Sequence, residues 1–200
     1  NVMLFSINNA RFNKKTTLEK YSIDDDSFVI TAGSRLDYLK GFDLLLDALS
    51  RYDSRLIKKC TIIIVGSGSE LNKIKKIANR LECKTIFTDW LQIDDFKSII
   101  YSSNLFIQPS RYETFGSASL AMSLGTPVIG TTSSGASADR IIDGYNGYLY
   151  SYDNIDRLIN KIQFLQNNQS ILKKLSINAF NSSQSWPLDK GRKTITNNII

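Results

Sequence analysis

Short β-branched runs alternate with longer amphipathic stretches along this 200-residue chain, and that rhythm restricts its fold more than any other feature. Residues 27–32 read as a strand closed by Gly33. A helix follows, with Phe42, Leu45, Leu46 and Leu49 at spacings of three and four. Residues 61–65 are too apolar for a half-exposed strand and suit a parallel sheet covered on both faces. Gly66-Ser67-Gly68 breaks that run. The next helix turns Leu71, Ile74, Ile77 and Leu81 inward and Lys73, Lys75, Lys76 and Arg80 outward. Further strands are predicted at 84–87, 104–108, 126–130 and 147–150. Asp94 is expected to cap a helix through Phe96, Ile99 and Ile100. Other helices are expected at about 117–124, near 139–142 after a Gly/Ser-rich loop, and along the stripe Ile155, Leu158, Ile159, Ile162 and Leu165. Five or six βα units with right-handed crossovers predict an α/β fold, a doubly wound parallel sheet with helices on both faces.

Composition narrows the chemistry. Hydrophobic residues at 42% and charged residues at 22% exclude wholesale disorder. There is no histidine, which removes Ser-His-Asp and Cys-His nucleophiles, imidazole metal sites and a histidine base from this chain. Cys60 and Cys83 follow no metal-ligand spacing and read as small buried thiols in a reducing compartment. No apolar run approaches the ~20 residues of a membrane span. The start, Asn1 to Phe5, lacks a signal-peptide pattern, so residues 1–26 read as a linker from an upstream segment. The formal charge of +6 is scattered, whereas a nucleic-acid binder concentrates it. Solvated helix faces, a phosphorylated ligand or an acidic membrane surface are the uses such charge allows. Asp24-Asp25-Asp26 contains a D-x-D pattern but lies in a polar turn and reads as solvated.

Ligands of doubly wound sheets bind beyond the carboxyl ends of the strands. After the first strand, Arg35 and Lys40 stand five apart on a loop between Gly33 and Gly41. They either converge on one polyphosphate or are solvated loop cations. After the second, Gly66 and Gly68 bring amides toward a ligand or simply make a tight turn. Leu71 breaks the dinucleotide fingerprint, and the P-loop ending is absent. The densest segment runs from Pro109 through Ser110, Arg111, Tyr112, Glu113, Thr114, Phe115 and Gly116 to Ser117, ahead of a helix. A carboxylate beside a glycine-rich helix start suits a sugar phosphate.

These pieces, in this order, resemble the nucleotide-sugar-binding C-terminal domain of GT-B glycosyltransferases, specifically the retaining GT4-like family. The resemblance runs from about residue 28 to 186. It rests on Gly33-Ser34-Arg35-Leu36 with Lys40-Gly41, Val65 to Glu70, Gln108-Pro109-Ser110 with Glu113-Thr114-Phe115-Gly116, 121–129, the Gly135 loop and 143–147. It implies a Rossmann-like half of a GT-B fold, with the donor domain at 27–185 and a tail at 186–200. It implies catalytic roles for Arg35 and Lys40 at the donor diphosphate and for Glu113 at the sugar hydroxyls. Donor contacts are implied for Gly33, Gly66, Gly68, Thr114, Phe115, Gly116 and Ser117, with Leu91 lining a base pocket. Trp90 either stacks there or packs in the core. No metal or other cofactor is implied.

The expected donor is a UDP-sugar carrying a hexose or N-acetylhexosamine. The acceptor, on a glycan or lipid carrier as in O-antigen or other surface polysaccharide biosynthesis, belongs with an N-terminal domain. The implied location is cytoplasmic, including peripheral contact with an inner membrane, and this segment alone is expected to turn over poorly. One departure stands out. The second glutamate of the family's E-x7-E motif, which normally holds the ribose, falls at Ala121, leaving Ser117 or Ser119 for that contact. That gap keeps open a noncatalytic GT-B-like binding or chaperone subunit, against which Arg35 and Lys40 argue.

Overall fold

A computed structural model describes residues 12–185; residues 1–11 and the tail at 186–200 lie outside the described range. Six strands form one sheet: β1 (Phe28–Gly33), β2 (Cys60–Val65), β3 (Lys84–Thr88), β4 (Leu105–Gln108), β5 (Val128–Thr131) and β6 (Gly147–Tyr150). Their order is β3-β2-β1-β4-β5-β6, and every neighbouring pair is parallel. This is the doubly wound, Rossmann-like arrangement that the alternation predicts.

Parallel neighbours cannot be joined by tight hairpins, so helices carry the crossovers. The crossover helices are α2 (Phe42–Ser50), α3 (Ser54–Ile57), α4 (Leu71–Ala78), α5 (Ile93–Ser102), α6 (Ala118–Ser123) and α7 (Gly135–Arg140), while α1 (Lys14–Lys20) precedes β1 and α8 (Ile155–Asn167) and α9 (Gln169–Ser183) follow β6. β1, β2, β4 and β5 are buried along their whole length. Alternate residues explain this. Ile30, Ala32, Ile62, Ile64 and Ile107 pack with Leu45, Leu46 and Leu49 of α2, Ile74 of α4 and Leu158 and Ile162 of α8. Val29, Ile63 and Val65 pack instead with Leu18 of α1 and Ile99 of α5, while Phe106 and Val128 meet Ala118, Ala121 and Met122 of α6. Each such isoleucine or leucine, fully removed from water, contributes about 1.5–3 kcal/mol.

Three local expectations are corrected. Gln92, not Asp94, occupies the N-cap of α5; Asp94 and Asp95 lie in its first turn, where their charge suits the positive helix end without capping it. The helix placed near 139–142 is α7, starting at Gly135 inside the run read as loop. Its first amides are satisfied from another loop, Gly135 N by Glu113 O and Ala136 N by Phe115 O, and Gly135 lies so close to the Thr114 carbonyl that a Cβ would collide with it. Within residues 1–26, α1 is capped by the Asn13 side chain, and Leu18 and Ile23 join the core.

Cys60 is buried and Cys83 half-buried, both as free thiols, and burial pushes Cys60 up to about 12. Asp24, Asp25 and Asp26 are exposed. No helix among the described residues is long and apolar enough to cross a membrane.

Candidate functional site

The strand order reverses between β1 and β4, and three loops rise from the carboxyl ends of β1, β2 and β4 around that point. The first two are fastened together. Ser34 N donates to Val65 O at 3.0 Å, Leu36 N to Ser67 O at 2.9 Å, and Glu70 N to Leu36 O at 2.9 Å. A Cβ at Gly66 would run into the Ser34 carbonyl, and one at Gly68 into that of Leu36. Close loop packing therefore accounts for both glycines. At Gly33 the constraint is the Phe96 ring, 2.6 Å from where a Cβ would stand.

The first and third loops meet through a charge pair. Lys40 ends a single 3-10 turn, Tyr38–Lys40, and its Nζ donates to Glu113 Oε2 at 2.7 Å. Each of the two side chains is only 12% exposed. An ammonium has three N–H groups and a carboxylate two oxygens. Two N–H groups of Lys40 and Oε1 of Glu113 take no further hydrogen bond among the described residues. The Glu113 backbone is held by a bridge to Ser134, and its carbonyl accepts from Gly135 N at 2.9 Å.

Arg35 lies on the same loop as Lys40 but holds a different carboxylate. Its Nε donates to Asp37 Oδ2 at 2.6 Å while the side chain stays 65% exposed. That contact uses only Nε, and neither Nη group has a partner among the described residues. Thr114 and Phe115 are exposed. Trp90 is 61% exposed, which overturns the core-packing reading of this residue, whereas Leu91 is half-buried against the cluster around Val65 and Ile99.

The Ser117 amide, at a position for which a donor contact is implied, is already engaged within the chain. Its N–H donates to Gln108 Oε1 at 3.1 Å, because Gln108 is buried at the end of β4 and requires partners; its Nε2 donates to Ser110 Oγ at 2.9 Å. The amides of Phe115 and Gly116 carry no such bond among the described residues. Gly116 has φ +78°, and a Cβ there would sit 2.9 Å from Gln108 Oε1. Helix α6 has six residues, so its macrodipole is small. Ala121 is fully buried beside Phe106 and Met122, and the Ser119 hydroxyl is buried without a partner.

Like Gln108, Arg111 and Asp43 received no role from the sequence, although Arg111 stands inside its densest motif. Arg111 Nη1 donates to Asp43 Oδ1 at 2.7 Å and to the Tyr38 carbonyl at 2.8 Å, and Nη2 donates to Asp43 Oδ2 at 3.0 Å. The guanidinium lies 4.1 Å from the centre of the Tyr38 ring. Burial alone pushes the Asp43 carboxyl up. The hydrogen bond and charge of Arg111, then Lys73 and the Leu44 amide, outweigh it and hold the group below the usual carboxylate range.

A parallel sheet of this order, with its loops gathered at the switch point, is a Rossmann-like domain and is consistent with the C-terminal half of a GT-B glycosyltransferase fold. More particularly, the family model for glycosyl transferases group 1 matches residues 13–182, and the chain belongs to that family. An uncharacterized glycosyltransferase of Methanocaldococcus jannaschii, MJ1178, is 29% identical over 170 residues, covering 83% of this chain and 46% of the relative. The O-antigen biosynthesis glycosyltransferase WclY of Escherichia coli is 31% identical over 126 residues, covering 61% of this chain and 34% of WclY. The crystal structure of Anabaena Alr3699/HepE in complex with UDP superposes with a TM-score of 0.80 at 23% identity, over 93% of this chain and 52% of HepE. The same protein has been crystallised with UDP-glucose. This chain thus spans about half the length of MJ1178 and HepE, and less of WclY.

Proposed function

We propose that this chain holds the donor in a retaining, metal-independent transfer of a hexose or N-acetylhexosamine from a UDP-sugar. The observation that carries the reading is the Lys40–Glu113 contact at the switch point, with spare hydrogen-bonding capacity on both partners. The two unused N–H groups of Lys40 and the unpartnered Nη groups of Arg35 supply positive charge for a diphosphate. Glu113 Oε1 accepts from a sugar hydroxyl, and the Phe115 and Gly116 amides donate nearby. When the bond from the anomeric carbon to the diphosphate oxygen breaks, its electron pair stays on the leaving group, the acceptor hydroxyl oxygen bonds to the anomeric carbon on the same face, and the acceptor proton passes to the departing diphosphate oxygen. The two cations neutralise that charge, and no histidine is called for. The UDP and UDP-glucose complexes of HepE support the choice of donor.

The acceptor, we infer, sits on an upstream domain across a cleft, so this segment by itself transfers slowly. The likeness to WclY supports a surface-polysaccharide acceptor. Free thiols at Cys60 and Cys83 suit a cytoplasmic site of action, and the positive charge suits peripheral contact with an inner membrane. Buried Ala121, with no carboxylate for the ribose, favours a second reading, a noncatalytic GT-B-like binding subunit.

Calorimetric titration with UDP, GDP and their sugar conjugates tests both. The expected result is binding of the UDP series, weakened about tenfold or more in K40A. Failure to bind any nucleotide would support the noncatalytic reading instead.

A further inference from the structure

Lys40 and Glu113 sit on loops that the Arg111 side chain grips at both ends, although it touches neither of them. Arg111 stands two residues before Glu113, and the carbonyl it holds, that of Tyr38, stands two residues before Lys40. Its fork is anchored on Asp43 in the first turn of α2, and its plane lies over the Tyr38 ring. The side chain is 14% exposed and that of Asp43 20%. The backbone adds a second fastening, with Arg111 N at 2.8 Å and Tyr112 N at 3.2 Å both donating to the Leu39 carbonyl. Gly41, at φ +67°, lies so close to the Pro109 carbonyl that a Cβ would collide with it.

We propose that Arg111 is a positioning residue that sets the spacing between Lys40 and Glu113 and so the affinity for the donor; this rests on the donor-site reading above. Only a guanidinium can cover both carboxylate oxygens and a carbonyl from one plane. A lysine at this position keeps the charge and loses the fork. The Leu39 hydrogen bonds persist in such a variant, so the domain stays folded while the side-chain grip on the loops is lost.

The test is a double-mutant cycle read by calorimetry, with UDP and UDP-glucose titrated into the chain and into R111K, K40A and R111K/K40A. R111K is expected to bind UDP about tenfold more weakly than the unaltered chain at a temperature where both are folded. In the K40A background it is expected to cost less than about twofold, because the group it acts through is gone. A merely structural role predicts either no loss or the same factor in both backgrounds, and either result overturns the proposal. If R111K is unfolded at the titration temperature, D43N, which keeps the shape of the anchor, replaces it in the same cycle with the same two outcomes. An unaltered chain that binds neither ligand overturns the donor-site reading and this proposal together. An unaltered chain that binds, with R111K equal to it, overturns this proposal alone.

Discussion

Lys40 and Glu113 are 73 residues apart in sequence and 2.7 Å apart in space, and each was marked by the motif around it. Arg35 was marked by the same motif, yet in the structure it holds Asp37 rather than either of them. Arg111 and Gln108 stood in quoted motifs and still gave no sign of their work. The role of a buried polar side chain depends on what the rest of the fold places beside it. Asp43 had even less signal, being one acid at the start of an amphipathic helix. Its ionisation has a measurable consequence. A carboxyl held below its unfolded value adds stability above about pH 4 that disappears as the pH falls through the lower, folded value. D43N is therefore expected to be less stable than the unaltered chain by about 2 kcal/mol at pH 7. The gap should narrow below about pH 4. Urea unfolding at pH 7 and pH 3 checks this, and a gap independent of pH would count against the Arg111–Asp43 pair as its source.

At the scale of elements, the strands were legible to within two residues because β-branched runs buried on both faces have few other conformations open to them. Short helices were harder. Helix α7 starts at a glycine, and its first two amides are taken up by a neighbouring loop, Gly135 N by Glu113 O at 2.9 Å and Ala136 N by Phe115 O at 3.1 Å, a partnership its own sequence does not announce. The turn before β6 shows the same dependence. Asn146 is fully buried there; its Oδ1 accepts from Ile142 N at 2.7 Å, and its Nδ2 donates to Arg140 O at 3.0 Å and to Ser182 Oγ at 3.1 Å on α9. One side chain thus ties the turn before β6 to α9. N146A strands these partners and is expected to destabilise the domain by about 3 kcal/mol, read as a lower denaturation midpoint. A loss under about 0.5 kcal/mol would mean that the turn holds its shape without the side chain.

For the whole molecule, the sheet is unevenly laddered. Six residue pairs join β1 to β2 and five join β2 to β3, yet β1 and β4 share two, Ile30 with Leu105 and Thr31 with Phe106. Asn104 adds to that junction by clasping the Val29 backbone through both its side chain and its amide. The β1–β4 ladder is thus the shortest seam in the sheet, next to the three pairs of β4 with β5 and four of β5 with β6, and the Lys40–Glu113 and Arg111–Asp43 contacts join the loops just beyond it. Transient opening should follow that seam, so amides of β4 are expected to exchange with deuterium faster than those of β2. A ligand bridging the two loops would close the opening from above and slow exchange along β4, at amides it never touches. Slowing confined to the loops would sink the idea. Occupancy of the site would then be recorded in the proton clock of the sheet beneath it.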